Sequence, residues 1–583
     1  MGAGFVVRGA TVLDGSGGEP QVADVVVRDG RIYSVVPSGE AIAISLRESM
    51  DHSPQPLSSV SGVGESEERR RTGGEGVSEC EKVHKLTDVG AEPDLADIDG
   101  DGFYLAPGFI DCHCHDDLAM LQDPDRPEKI VQGVTTVVVG NCGFSLFPCT
   151  ASSKDSLRSH AGGLLGSVGL NEVFEGVDAY SKALLDRGIA LNVVPLVGHG
   201  PLRLEVLGFD PRAATFDERR RMADRLESQL NHGAAGLSLG LVYPPSAFAD
   251  REELLALCKA AARCGKPVAA HIRSYEAGLL DATHEFLDLL RESSARGVLS
   301  HLQAAGRPNW GLVTQALDAL EGACKEGIDV SFDMYPYLAG SSYALQLLPP
   351  SALAGGVEAL KSKFRSPEER AQLWARIEAA GVDSEGWQSK INVIGWESVL
   401  IAGTEVASLK ELEGKTIADA AVSGTCHPFD ILERLVLEEN GATALVLFQL
   451  AEADSRAAFS HPLHMVGSDG IPRREGRPHP RAYGAFPRVL NKLAATDHWF
   501  SLADAVRRMT SEPAKRFGLN DRGWIRPGAV ADLVLFEPTF RDTATYEDPR
   551  RLAQGARYVW VSGRAVLAEH KPTGIRPGRV LSG

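Results

Sequence analysis

Apolar and polar residues alternate from the start of the chain. The stretch "FVVRGATVLDGSGGEPQVADVVVRDGRIYSVVP", residues 5–37, changes face at every second position between Gly-rich turns. That period predicts short antiparallel strands with one buried face. The same style returns near the other end in "ADLVLFEP", "ARYVWVSGRAVLAEH" and "GRVL". Residues 1–104 and 521–583 are therefore expected to build one small β domain from discontinuous sequence. Inside the first part the period stops. Residues 38–97 are rich in Ser, Gly, Glu and Pro and have almost no apolar repeat. Such a segment buries too little to offset its ordering entropy, so a disordered insert is expected there.

From residue 105 to 520 the pattern becomes strand followed by helix. Eight apolar runs recur: "FIDCHCH", "TTVVVGNCG", "ALNVVPLVGHG", "AGLSLGLVYPP", "PVAAHIR", "VLSHLQ", "DVSFDMYPY" and "HMVGSDG". Helical stretches lie between several of them. One places Met222, Leu226 and Leu230 on a single face and stops near Gly233; the next stops at Gly265. Eight strands alternating with helices predict an α/β fold, a (β/α)8 barrel of TIM type. Residues 345–460 form a long interruption between the seventh and eighth strands. They carry helices of their own and are expected near the active face.

Composition narrows the class. The 583 residues are 43% hydrophobic, enough for one large core and a smaller companion. A net charge of −18 argues against nucleic acid and anionic membranes as partners. No stretch approaches a membrane span. The N-terminus lacks the charged and apolar regions of a signal peptide, and Val6 breaks the myristoylation pattern. Nine scattered cysteines make no disulfide framework, which predicts a reducing, cytoplasmic setting.

Barrel strands of this type present active-site groups at their C-terminal ends. Here those ends are polar in a selective way. Strand one ends in His113 and His115, which share a face because residues i and i+2 point the same way. Strand two ends in Cys142, strand five in His271, strand six in His301 and strand eight in Asp469. A lone histidine after an apolar run is commonly a core residue, and a lone cysteine a small hydrophobe. Six such residues on five strand ends form a set, and imidazole, thiolate and carboxylate together suit Zn²⁺ or a similar divalent ion. Cys112 and Cys114 alternate with the histidines and should face away. His199 also ends a strand, and both a pocket-lining and a structural role are open to it.

These motifs carry a resemblance. "APGFIDCHCHDD", "GNCG", "GLSLGLVYPP", "HIRSYE", "SHLQAAG", "DMYPYLAGSS", "GSDGIPRREGRPHPRAYGAFPRVL", "MTSEPAKRFGL" and "RPGAVADLVLF", in this order, resemble the D-aminoacylase (N-acyl-D-amino-acid deacylase) family of the amidohydrolase superfamily. The likeness spans nearly everything outside residues 38–97. It implies a tight zinc site of Cys142, His271 and His301. It also implies a second, weaker position with His113, His115, Asp469 and a bridging Cys142. Asp469 is then the general base and acid, and Tyr243 either an oxyanion donor or a packing residue. Tyr335, Ser341 and Arg481 map onto the family's contacts to the substrate carboxylate. Family members commonly have a lysine two residues after the strand-six histidine; this chain has Gln303, which donates a hydrogen bond but no charge and leaves Arg481 as the strong anion anchor. The implied substrate is a small acylated amino acid. The alternatives are a cyclic amide hydrolase of hydantoin or dihydropyrimidine type and a non-catalytic scaffold. The lysine that bridges two metals in the cyclic amide enzymes has no counterpart in "GLSLGLVYPP", and every ligand position is filled.

Overall fold

The computed structural model describes residues 4–38, 95–169 and 171–583. The expected insert 38–97 thus lies outside the described residues except for residue 38 and residues 95–97, the latter running into Ala96–Asp99, a strand pairing in parallel with Phe5–Val12.

All eight predicted barrel strands form. They are β1 (Phe109–Asp111), β2 (Val134–Val139), β3 (Asn192–Gly198), β4 (Gly236–Gly240), β5 (Val268–His271), β6 (Gly297–Leu299), β7 (Val330–Met334) and β8 (His464–Val466). Each pairs in parallel with its sequence neighbour, in order from β1 to β8. Parallel strands are covered on both faces, so they are continuously apolar rather than alternating; "VTTVVV" of β2 is buried throughout. Backbone bonds just past the last strand join the two ends: the Asp469 amide donates to His113 O (2.7 Å) and the His115 amide to Gly470 O (2.9 Å). Ile110, Cys112, Val138, Leu196, Ala269 and Met465 share one core cluster with others from these strands.

Helices fill the predicted places for local reasons. Phe216–Asn231 starts at Thr215, whose hydroxyl takes the Glu218 amide while the Glu218 carboxylate takes the Thr215 amide, a capping box. Asp250 caps Arg251–Arg263 by accepting from the Glu253 amide (2.8 Å). Next to it, Glu253 sits fully buried between His199 Nε2 (2.7 Å) and the Arg203 guanidinium. His199 is therefore committed to a structural ion cluster and does not line the cleft described below.

The two chain ends meet in a nine-stranded sheet. Leu533–Arg541 pairs antiparallel with Tyr104–Pro107, which continues through Phe5–Val12 and Gln21–Arg28 to Arg31–Pro37. One expectation fails here. "GRVL" does not join this sheet: Val580 bridges to Val193 of β3, and the Val193 amide donates to Arg579 O (2.8 Å). Four residues have no period long enough to tell a sheet strand from a barrel strap.

The interruption after β7 differs from its predicted bounds of 345–460. It opens at Ala339–Tyr343, which with Val399–Gly403 and Ala444–Phe448 forms a three-stranded antiparallel sheet. "AGSSY" has no apolar alternation, which is why the pattern missed it. Helices Val357–Arg365, Pro367–Glu378 and Pro428–Glu439 pack on this sheet around a core of their own that includes Leu360, Phe364, Phe429, Leu432 and Leu445. That core runs on into Cys142, Phe144 and Tyr243 at the barrel mouth. No described helix is long and apolar enough to cross a membrane.

Removing one member of a buried ion cluster leaves its partner's charge unpaired. Glu253→Gln is expected to cost about 3–5 kcal/mol of stability, seen as a fall in the urea midpoint by circular dichroism. A midpoint equal to the parent's would show that Arg203 and His199 do not depend on this carboxylate.

Candidate metal centre

The ligand-type side chains converge. His115 Nε2 lies 3.2 Å and His113 Nε2 3.5 Å from Asp469 Oδ1. Cys142 Sγ lies 3.2 Å from His113 Nε2 and 3.5 Å from His301 Nε2. One ligand atom each from His113, Cys142, His301 and Asp469 fall within 4.8 Å of one another. The His271 ring stands 4.5 Å from that of His301, centroid to centroid. All six residues are buried.

The backbone is bent to bring this about. Cys142, His301 and Asp469 have φ of +53°, +36° and +47°, left-handed values that residues with a Cβ rarely adopt. Such strain persists where the surroundings over-determine it, and it gathers at functional sites. The "GNCG" turn shows how. A Cβ on Gly240 of β4 would stand 1.9 Å from Cys142 O, so only glycine lets the turn lie on that strand. Ser238 of the same strand accepts from the Gly143 amide (3.0 Å) and donates to Gly140 O, clamping the turn from both sides.

Outer contacts aim the ligands. Asp333, at the end of β7, accepts from His113 Nδ1 (3.1 Å) and from the His301 amide (2.9 Å), leaving His113 Nε2 toward the centre. Nothing in the sequence pattern marked Asp333 beyond an acid inside an apolar run. Tyr275 sets its ring edge-on to His271 at 4.9 Å and donates its hydroxyl to Ser300 O (2.9 Å). A second acidic group, Asp111, Cys114 and Asp116, already holds a cation: Lys129 Nζ is 2.6 Å from Asp111 and 3.2 Å from Asp116. Neither Cys112 nor Cys114 joins the centre; their thiols donate to Val466 O and Val138 O.

Charge in the cluster suits a divalent ion. Burial would raise the Cys142 thiol, but the His113 and His301 charges outweigh it and hold its pKa well below the usual thiol range, favouring thiolate. Burial likewise opposes ionisation of Asp469, yet Arg481 and the imidazoles hold it well below the usual carboxylate range. His115 is raised to about 9 because its contacts with Asp469 and Cys142 overcome its burial. Burial and then the His301 charge push His271 down to about 4, so it is a neutral lone-pair donor. Both ring nitrogens of His271, and Nδ1 of His115 and His301, are buried without a hydrogen-bond partner. Unpaired buried imidazole nitrogens beside a thiolate and a carboxylate are costly alone and fit a cation of the zinc type.

Comparison with known proteins places the chain. A family model described as "Amidohydrolase family" matches residues 97–567. The chain belongs to that family. N-acyl-D-aspartate deacylase of Alcaligenes xylosoxydans xylosoxydans is 32% identical over 590 residues, covering 100% of this chain and 95% of that protein. The structure of N-acyl-D-glutamate deacylase from Bordetella bronchiseptica, complexed with zinc and a phosphonate mimic of the tetrahedral intermediate, superposes with a TM-score of 0.76 at 30% identity, covering 99% of each chain. A D-aminoacylase structure described as having a binuclear metal center matches with the same score, identity and coverage.

The positions that the D-aminoacylase resemblance assigned to substrate fall around the amidohydrolase centre in different ways. Tyr243, Gln303, Tyr335 and Ser341 line a cleft with His115, Cys142, His271, His301 and Asp469. Tyr243 accepts from Gln346 Nε2 (3.5 Å), with its ring 4.9 Å from that of His271. Tyr335 donates to Gln303 Oε1 (2.8 Å). Arg481 is fully buried: its Nη2 meets Asp469 Oδ2 at 2.9 Å, its guanidinium lies over the Tyr335 ring at 4.4 Å, and Nε and Nη1 are unpartnered. Lys390, from the insertion, also lines the cleft. Sequence spacing could not find it, because nothing fixed where the insertion folds back.

Asp333→Asn replaces the carboxylate that orients His113 with a group whose NH2 face competes for the same contact. Zinc affinity, measured by chelator competition, is expected to fall about 10–100-fold. Unaltered affinity would remove Asp333 from the support of the centre.

Proposed function

We propose that this chain is a zinc-dependent amidohydrolase that cleaves a linear N-acyl bond, converting an N-acyl-D-amino acid and water to a carboxylate and a D-amino acid. One observation carries the reading: ligand atoms of His113, Cys142, His301 and Asp469 meet within 4.8 Å of one another, beside unpartnered buried ring nitrogens. The kinship with deacylases of acidic and other D-amino acids supports it.

Cys142, His271 and His301 would hold the tight zinc, with His113, His115, Asp469 and a shared Cys142 as the weaker position. Bound there, zinc supplies Lewis acidity, lowering the pKa of a water toward neutrality and polarising the amide carbonyl. The residues do the rest. Arg481 holds Asp469 by Oδ2, and Oδ1, which faces His113 and His115, takes a proton from the attacking water and returns it to the leaving nitrogen. Tyr243, which lines the cleft, donates its hydroxyl to the developing oxyanion. Tyr335, Ser341 and the free donors of Arg481 receive the substrate carboxylate. Buried surroundings exclude water and strengthen each of these contacts.

The cyclic-amide reading has no observation in its favour: β4 carries Ser238, bonded to the "GNCG" turn, and no lysine. Eight described cysteines are free, which supports a reducing cytoplasmic location.

Two measurements test the reading. Zinc-loaded protein is expected to release amine from some members of a panel of N-acetyl-D-amino acids, to lose activity on chelation and to regain it with zinc. Asp469→Asn is expected to retain zinc and lose turnover by about 10²–10⁴-fold. Zinc retained with no amine released from any substrate would reject the substrate class, and full turnover by the asparagine variant would reject the proton role.

A further inference from the structure

The cleft around the ligands encloses only about 30 Å³, room for a water or two and not for an acylated amino acid. A neighbouring cavity of about 400 Å³ is lined by apolar groups such as Val242, Phe248, Leu348 and Trp387. The two spaces share two residues, Gln346 and Lys390. A third cavity, of about 330 Å³, meets the cleft only at His115, one of the ligand-type residues. A substrate that extends from the centre across the wall of Gln346 and Lys390 is set beside Lys390.

Lys390 is built into this position. Ser389 caps the short helix Lys390–Ile394 by accepting from the Asn392 amide (3.3 Å). Gln388 accepts from the Ala277 amide (2.9 Å), tying the segment to the loop after β5. Val393 packs on the loop after β6, so closely that a Cβ on Gly306 would stand 2.7 Å from its side chain. The helix is thus docked on the loop that carries Gln303. The Lys390 ammonium is buried and paired with the buried carboxylate of Glu276. Among the described residues lining the cleft, Lys390 is the only lysine or arginine.

We propose that Lys390 is a second cation, besides Arg481, that selects for a free carboxylate on the substrate, supplied by the insertion in place of the charge that Gln303 lacks. Glu276 is its resting counter-ion. A carboxylate entering the cleft shares or replaces that contact, keeping the buried ammonium paired throughout, whereas a neutral carboxamide offers no compensation for loosening it. The inference rests on the amide-hydrolase reading above and deepens it: it names the group on the substrate that this chain recognises in its own way.

The test compares N-acetyl-D-methionine with its carboxamide on zinc-loaded protein, and measures binding of the products D-methionine and D-methioninamide by calorimetry. The parent is expected to favour the acid in kcat/KM and the carboxylate product in affinity. Lys390→Met should collapse both preferences by about 10–100-fold, chiefly through KM, and Lys390→Arg should restore a large part. Glu276→Gln, which frees the ammonium, should lower KM for the acid. A Lys390→Met protein that is folded by circular dichroism and keeps the parent's preference in both readouts overturns the proposal, as does a parent with no preference in either. If no amide is cleaved but the binding preference disappears with Lys390, the reaction assigned above fails and the role of Lys390 stands.

Discussion

Two backbone hydrogen bonds close the barrel, and both belong to the site. The Asp469 amide donates to the carbonyl of His113, and the His115 amide to that of Gly470. A parallel barrel exists only if its first and last strands find each other in register, and here the seam is made by the residues that present the ligands. A slip by one residue would turn His113 and His115 to the opposite face of the strand. The seam is reinforced beneath by Asp111, which accepts from the Ser468 amide and hydroxyl and from Lys129. Fold closure and ligand convergence are therefore one event, held by bonds that water does not reach.

Periodicity made the barrel legible because parallel strands, buried on both faces, leave uninterrupted apolar runs. The six ligand-type residues were legible for a related reason: each stands where such a run stops, and a polar side chain at that place has few structural excuses. What escaped was the long-range part. Asp333 lies inside a run and acts on His113 through a contact 220 positions away. Lys390 reaches the cleft only because its helix docks on the loop after β6. The strand Ala339–Tyr343 is made of small and hydroxyl residues and takes its form from its neighbour Ala444–Phe448. "GRVL" and His199 were ambiguous locally, and tertiary pairing with Val193 and Glu253 decided both.

The centre is also an exercise in charge pairing. Every buried charge named around it has a partner: Asp469 with Arg481, Asp333 with His113, Lys129 with Asp111 and Asp116, Lys390 with Glu276. Among the unsatisfied groups are imidazole nitrogens of His115, His271 and His301 and the spare donors of Arg481. Their gathering at one place is informative, because orphaned buried polar atoms call for an explanation and a bound ion or substrate supplies one here. The cationic and anionic partners come from different strand ends and from the insertion, so the balance arises only when all of them are in place.

The insertion has its own apolar core, and that core is continuous with Cys142, Phe144 and Tyr243 at the barrel mouth. It is consequently no detachable lid. A substitution that reshapes the insertion for a new acyl or amino-acid partner propagates by contact into the turn that bears the thiolate. Evolution of preference and evolution of robustness act here on the same side chains. Divergence in this lineage is then expected to proceed by coordinated exchanges across the two modules, with isolated surface changes having little influence on what is cleaved.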